Sequence, residues 1–152
     1  MRGVMQYRAS IILALLLAAI SSDVIGAEFV LLKPKDIPEL MKQCSRSAPI
    51  PSSQGWVPTQ KMIDEIKHEL QQSPILKNDR LQDLEKYNFQ IVGIFIKGKR
   101  AIYINGVGVS AWKGIDHNKP IVACDGGNLF FGVLYNPIEK SFDQLSINGP
   151  SW

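Results

Sequence analysis

The sequence changes at Asn88 from patterns typical of helices to patterns typical of strands. Before this point, apolar residues recur at the spacing of an amphipathic helix: Met62, Ile63, Ile66 and Leu70. After it, short runs rich in Ile, Val and Phe alternate with turn sequences. Helices followed by strands that short turns connect predict an α+β fold, in which amino-terminal helices pack on an antiparallel meander of about five strands.

The part of the chain before Asn88 predicts helices separated by a loop. Residues 36–43 suit a short helix, whereas residues 45–58 are rich in Pro, Ser and Gly and predict a loop. Thr59 is placed to cap the principal helix, because its hydroxyl can accept hydrogen bonds from the amides of the first turn. Residues 79–86 predict a second, shorter helix.

The part after Asn88 predicts strands joined by tight turns. The five runs are residues 89–97, 100–107, 120–124, 129–135 and 142–147. Gly98-Lys99 suits a two-residue hairpin turn with glycine first. Asp125 and the two glycines that follow it predict another turn. We expect the helices to cover one face of this sheet.

The amino end has the parts of a secretory signal peptide. Arg2 and Arg8 supply positive charge, and an uninterrupted apolar run follows over residues 11–20. This run is shorter than the roughly 20 residues that a membrane-spanning helix needs. We therefore predict a cleavable signal over residues 1–27 with cleavage after Ala27. The alternative is an uncleaved amino-terminal anchor.

Residues 28–152 have the size of one ordinary domain, and no repeat or low-complexity tract interrupts them. The formal net charge of the whole chain is only +3, whereas a nucleic-acid-binding surface is usually much more basic. We therefore predict a single mature α+β domain that is periplasmic or secreted, has no nucleic-acid partner and keeps no stable membrane span after cleavage.

The chain contains two cysteines, Cys44 and Cys124. An even pair in an exported domain most simply forms one disulfide bond, because the compartment is oxidising. Such a bond would tie the helical region to the sheet. A free catalytic thiol at either position is the alternative.

Several sequence elements resemble a family of small exported proteobacterial proteins of unknown function. These elements are Trp56-Val-Pro before an amphipathic helix, a Gly-Lys-Arg hairpin ending in Tyr103-Ile-Asn105, and the series Cys124-Asp-Gly-Gly, Phe130-Phe-Gly-Val, Tyr135, Phe142, Leu145 and Asn148-Gly149. The similarity covers roughly residues 44–149. It implies one periplasmic or lipid-anchored α+β domain and carries no catalytic residue. The signal lacks the cysteine of a lipoprotein at its cleavage point.

One set of residues suggests enzymatic chemistry. Cys124 or Asp125 could act with His117 as base, and the amides of the following glycines could stabilise an oxyanion. Against this, the compartment favours a disulfide at Cys124, and the two glycines suit a tight turn. The chain has only two histidines, His68 and His117, without metal-ligand spacing. We expect neither a metal nor a cofactor.

Two groups of residues are candidates for a binding surface. Lys97, Lys99 and Arg100 flank the predicted hairpin tip and could contact an anionic partner, or they could simply be solvated charges that discourage pairing between sheet edges. The second group is aromatic and comprises Tyr103, Phe130, Phe131 and Tyr135.

Phe130 and Phe131 are consecutive, so a strand places them on opposite faces of the sheet. If helices cover only one face, an aromatic patch stays open to a partner. If loops such as residues 45–58 cover the other face, both rings are buried. The sequence leaves these alternatives open.

Taken together, these patterns predict a non-enzymatic periplasmic binding domain that acts through a protein surface, such as an inhibitor, an immunity protein or an envelope-accessory protein. Its partner would be another periplasmic or secreted protein. The alternative is a small periplasmic hydrolase that uses Cys124 or Asp125 with His117.

Overall fold

The computed structural model describes residues 26–52 and 54–149. The predicted signal, residues 1–27, lies outside the described residues except for its last two positions. The strands are β1 (Phe29–Leu31), β2 (Tyr87–Ile96), β3 (Lys99–Gly108), β4 (Phe130–Asn136) and β5 (Ser141–Ile147). The helices are α1 (Ile37–Leu40), α2 (Gln60–Gln72) and α3 (Val109–Trp112), and 3-10 turns lie at Pro34–Asp36, Pro74–Leu76, Leu84–Lys86 and Gly127–Leu129.

The five strands form one sheet in the order β1-β2-β3-β4-β5. Strands β2 to β5 make the expected antiparallel meander. The sheet as a whole is mixed, because β1 pairs in parallel with β2 and places Phe29 opposite Phe89. The α+β class and the number of strands are therefore confirmed, while the identity of one strand differs from the prediction.

The predicted strand at residues 120–124 is wrong. We call residues 117–125 the strap, because this irregular segment crosses one face of the sheet. Its backbone groups bond to side-chain amides instead of to a neighbouring strand. Gln90 Nε2 donates to the carbonyls of His117 (2.8 Å) and Lys119 (2.6 Å), and Gln90 Oε1 accepts from the Ile121 amide (2.9 Å). Side-chain amides thus satisfy backbone groups that a strand ladder would otherwise pair.

Three further amide side chains hold the rest of the strap. Asn105 Nδ2 donates to the Ile121 carbonyl (3.0 Å), and Gln43 bonds to Ile121 and Ala123. Asn148 Nδ2 donates to two strap carbonyls, at 2.9 Å each. The disulfide between Cys44 and Cys124 is confirmed, with the two Cα atoms 4.6 Å apart.

Helix α2 covers the first face of the sheet. Thr59 caps it as expected, since its hydroxyl accepts from the Met62 amide (3.4 Å). Its buried residues Ile63, Ile66 and Leu70 form the apolar stripe. They pack in one cluster with the buried side chains of β2, β3 and β4 that share this face: Tyr87, Phe89, Ile91, Ile102, Ile104, Phe131, Val133 and Tyr135.

The second face of the sheet is also covered. Leu32 and the α1 residues Ile37 and Leu40 pack against the buried side chains on this face: Val92, Ile94, Tyr103 and Leu134. The strap lies over the adjoining polar part of the same face through Gln90 and Asn105. Of the two arrangements that the sequence left open, the structure has the one in which both faces are covered.

The predicted helix over residues 79–86 is reduced to the 3-10 turn Leu84–Lys86. Asn78 explains the difference, because its side-chain oxygen accepts from the Arg80 amide (2.9 Å) and its carbonyl accepts from the Leu81 amide (2.8 Å). Such local bonds offer the backbone an alternative to the helical pattern.

Candidate functional site

The aromatic residues proposed as a binding surface lie mainly in the core. Tyr103, Phe131 and Tyr135 are buried, and only Phe130 keeps partial exposure. Phe131 packs edge-on against Tyr87, with ring centroids 5.0 Å apart. These aromatic side chains therefore form no open patch, because the sheet is covered on both faces.

Two of the residues proposed for catalysis, Cys124 and His117, take structural roles, while Asp125 is exposed and its backbone carbonyl accepts from Asn148. Cys124 is bonded to Cys44, so its sulfur is not a free thiol. The His117 ring stacks on Trp112 with centroids 4.2 Å apart, and its Nδ1 lies 3.7 Å from a Glu28 carboxylate oxygen. The Trp112 indole nitrogen donates to the same carboxylate (2.9 Å). His117 thus helps to join the start of β1 to the segment after α3.

The part of the chain that the structure describes contains no group of three or more His, Cys, Asp or Glu side chains able to hold a metal ion. His68 is exposed on α2, where it contacts Gln72 and Glu69 of the same helix.

The basic residues at the hairpin tip are exposed, as a binding surface requires. Lys97, Lys99 and Arg100 all lie at the surface where β2 meets β3. The turn itself is Lys97-Gly98 instead of Gly98-Lys99, because Ile96 pairs with Lys99. Both turn residues have positive φ, 49° and 77°, as a type I′ turn requires.

The loop before α2 packs beside this hairpin. The Ser52 amide donates to the Phe95 carbonyl (2.8 Å), and the Ser52 hydroxyl accepts from the Gly98 amide (3.3 Å). The Trp56 amide donates to the Gly93 carbonyl (3.0 Å), and its indole nitrogen donates to the Ile94 carbonyl (3.0 Å). These bonds fix the loop along the edge of β2 beyond β1.

The loop and the hairpin tip are neighbouring segments, since Ser52 bonds to Phe95 and Gly98, and we treat their exposed residues as one surface. We call it the hairpin surface and define it as Ile50, Trp56, Val57, Lys97, Lys99 and Arg100. The Arg100 guanidinium lies 5.0 Å from the centre of the Trp56 ring, which places it for a cation–π interaction. Ile50 is 88% exposed and Val57 is 62% exposed.

The three basic residues of the hairpin surface were predicted from the sequence, whereas its two exposed aliphatic residues, Ile50 and Val57, were not. Ile50 lies between Pro49 and Pro51, and Val57 precedes Pro58. Proline beside an apolar residue interrupts the regular structure that would show a helix or strand face. The sequence therefore carries no periodic pattern from which the exposure of these two residues could be predicted.

A buried arginine is the other feature that the sequence did not reveal. Arg46 is only 8% exposed. Its guanidinium donates to Asn148 Oδ1 (2.8 Å), Asn105 Oδ1 (2.6 Å) and the Tyr103 hydroxyl (3.3 Å). Its Nε has no hydrogen-bond partner among the described residues. Arg46 therefore links the segment after Cys44 to the residues that hold the strap.

The partners of Arg46 are neutral. Among the residues described, no carboxylate forms an ion pair with it. Burial lowers the pKa of Arg46 below its usual value, and the interaction with Tyr103 partly offsets this. A buried cation without an anionic partner is costly, because hydrogen bonds to neutral groups replace only part of its hydration.

No protein-family model, curated protein or solved structure matches the chain. The resemblance to small exported proteobacterial proteins therefore stays a prediction. Within residues 26–52 and 54–149, none of the helices has the length and apolar character needed to cross a membrane.

Proposed function

We propose that this protein is a non-enzymatic binding domain that is exported to the periplasm and acts on another periplasmic or secreted protein through the hairpin surface. Inhibitors, immunity proteins and envelope-accessory proteins share this mode of action, in which one protein surface binds another protein. The observation that carries the proposal is that two exposed apolar side chains, Ile50 and Val57, lie on the loop that bonds to the hairpin with three exposed basic residues.

This combination fits a partner with an apolar site and an acidic rim. A few side chains that are well packed at the centre of an interface contribute most of its affinity, while charges around them steer the encounter. Lys97, Lys99 and Arg100 supply the positive charges here, and no residue of the hairpin surface is acidic. The partner's surface is therefore expected to be acidic.

The hairpin surface is also held in place before any partner arrives. Ser52 and Trp56 tie the loop to β2 by backbone hydrogen bonds, and Arg100 rests on the Trp56 ring. A surface that is already ordered loses less conformational entropy on binding. This supports binding as the role of the loop.

The hydrolase alternative finds less support. A cysteine mechanism needs a thiol at Cys124, and that sulfur is bonded to Cys44. The His117 ring contacts Trp112 and Glu28. Because these contacts give His117 a structural role, we do not propose an enzymatic function.

Export is tested by processing. Expressed in a Gram-negative host, the protein is expected to appear in the periplasmic fraction with Glu28 at its amino end. Cleavage after Ala27 would leave β1 complete, because β1 begins at Phe29. Amino-terminal sequencing of the fractionated protein measures this. An intact Met1 in the membrane fraction would contradict the prediction.

Binding is tested by substitutions in the hairpin surface. The purified protein is used to isolate its partner from periplasmic extract, and the affinity for the identified partner is measured by calorimetry. The double change Ile50→Ser and Val57→Ser is expected to weaken binding about thirty-fold, which corresponds to about 2 kcal/mol of lost interface contact. Lys99→Glu is expected to lower the association rate and to change its dependence on salt.

Two matched controls lie elsewhere on the surface. Ile138 is 83% exposed in the β4–β5 turn, so Ile138→Ser removes an exposed apolar side chain outside the hairpin surface. Lys113→Glu reverses an exposed charge after α3. Neither should alter the affinity. Equal losses in the controls and in the hairpin-surface variants would reject this surface as the binding site.

A further inference from the structure

A small cavity lies between the loop after Arg46 and the strands β4 and β5. Its volume is about 210 Å³. Its polar lining comes from Ser47, Tyr103, Gln144 and Ser146, and no lining residue is acidic. None of the residues that define the hairpin surface lines it, so the cavity is a separate feature.

Tyr103 connects this cavity to the buried charge of Arg46. The phenol hydroxyl accepts a hydrogen bond from Arg46 Nη2 (3.3 Å), and the same side chain forms part of the cavity wall. The ring passes directly over Gly132, where a Cβ atom would lie only 2.9 Å from ring carbons of Tyr103. Glycine at this position allows the hydroxyl to reach Arg46.

Two residues that line the cavity, Tyr103 and Ser146, carry hydroxyl groups that accept hydrogen bonds from the protein. Because the Tyr103 hydroxyl accepts from Arg46, its own proton remains to be donated. The Ser146 hydroxyl likewise accepts from the Ser47 amide (3.1 Å), which leaves its proton available. A hydroxyl that already accepts from the protein still has its proton to donate, which suits a ligand that only accepts hydrogen bonds.

Arg46 places a positive charge next to one of these hydroxyls, that of Tyr103. Arg46 is buried, and its guanidinium is paired only with neutral oxygen atoms. A negative ligand near Tyr103 would interact with this charge through a medium of low polarity, where electrostatic attraction is stronger than in water. Such a ligand would also provide the anionic partner that buried cations usually have.

We propose that this cavity binds a small oxyanion, a carboxylate or a phosphate. The oxyanion accepts hydrogen bonds from the hydroxyls of Tyr103 and Ser146, and Arg46 stabilises its charge through Tyr103. Ligand binding at this site does not depend on the proposed hairpin surface, since the two share no residue. A free metabolite and the carboxylate or phosphate group of a larger molecule present the same chemistry.

The test is a titration of the purified, disulfide-bonded protein followed by amide chemical shifts. Sodium phosphate and sodium acetate are added separately in Tris-chloride buffer, and sodium chloride keeps the ionic strength constant. At least one of the two anions is expected to give saturable shifts at the amides of Ser47, Gln144 and Ser146. The anion that binds more tightly identifies the ligand as phosphate-like or carboxylate-like.

Substitutions then distinguish specific binding in the cavity from nonspecific attraction of anions to the protein. Tyr103→Phe removes only the hydroxyl and is expected to raise the dissociation constant on the order of ten-fold, since hydrogen bonds to a charged group are strong. Ser146→Ala is expected to weaken binding without touching the contact between Arg46 and Tyr103. Tyr135→Phe is the matched control, because it removes a buried hydroxyl that faces α2 instead, and it should leave the dissociation constant unchanged.

Two results would overturn the proposal. One is the absence of saturable shifts at the cavity amides with both anions. The other is an unchanged dissociation constant in Tyr103→Phe and Ser146→Ala, with well-dispersed spectra that show both variants to be folded.

Discussion

Replacing Cys124 with serine is expected to lower the free energy of unfolding by about 4 kcal/mol, because the lost disulfide closes a loop of 80 residues. In the chain-entropy account, the bond acts by restricting the unfolded chain, so the size of the loop sets the effect. Cys44→Ser removes the same bond and is expected to cost the same amount. Urea denaturation of both variants measures the loss.

The double variant distinguishes the bond from the individual side chains. With Cys44 and Cys124 both changed to serine, the loss should be little more than in either single variant, since one bond is removed in each case. The strap should remain on the sheet in the folded state, because Gln90, Asn105 and Asn148 still hold its backbone. Strictly additive losses, or alkylation of both cysteines in the native protein, would contradict a disulfide.

Phe131→Ala is expected to destabilise the fold by about 3–5 kcal/mol, the usual cost of removing a buried aromatic ring. Phe131 is fully buried against Tyr87 and Phe89 on the face that α2 covers. No rearrangement of a surface loop can fill the space, because the ring lies within the core cluster. The free energy of unfolding from chemical denaturation is the measurement.

Phe130→Ala is the matched control for this prediction. Phe130 is the preceding residue on the same strand, points to the opposite face and keeps partial exposure. Its removal is expected to cost about 1 kcal/mol, the typical effect of a single substitution. If both changes cost the same small amount, Phe131 would be a surface residue, and the aromatic patch suggested by the sequence would have to be reconsidered.

Local patterns were enough to predict several elements. The stripe of Ile63, Ile66 and Leu70 and the cap at Thr59 correspond to α2 as the structure has it. The alternation of apolar runs and turns after Asn88 corresponds to β2 to β5. These features depend on neighbours within one or two turns of chain, so they can be recognised in a sequence window.

The pairing of β1 could not be predicted in this way. Phe29–Leu31 is only three residues long, and its partner Phe89 is far away in the chain. So short an apolar run has no periodicity of its own. In the strap, by contrast, a strand was predicted where none forms. Residues 120–124 have strand-like composition, but their backbone bonds to side chains of Gln43, Gln90 and Asn105.

The residues of the candidate sites also differ in whether local sequence was enough to predict them. Lys97, Lys99 and Arg100 were identified from the sequence, because a glycine-containing hairpin turn places its flanking residues in solvent whatever the rest of the fold does. The cysteine pair was also predictable, because only two cysteines are present and an oxidising compartment was expected.

The burial of Tyr103 and Arg46 was decided by the tertiary structure alone. Tyr103 is a core residue because its face of the sheet, the second, is covered by α1 and Leu32. Arg46 lies in a loop of ordinary polar composition, and its partners Tyr103, Asn105 and Asn148 lie 57, 59 and 102 residues further along the chain. The exposure of a residue beside a tight turn can be predicted from the sequence, because the turn itself depends only on neighbouring residues. Burial of a polar group depends on distant segments that supply its hydrogen bonds, and only the folded chain brings them together.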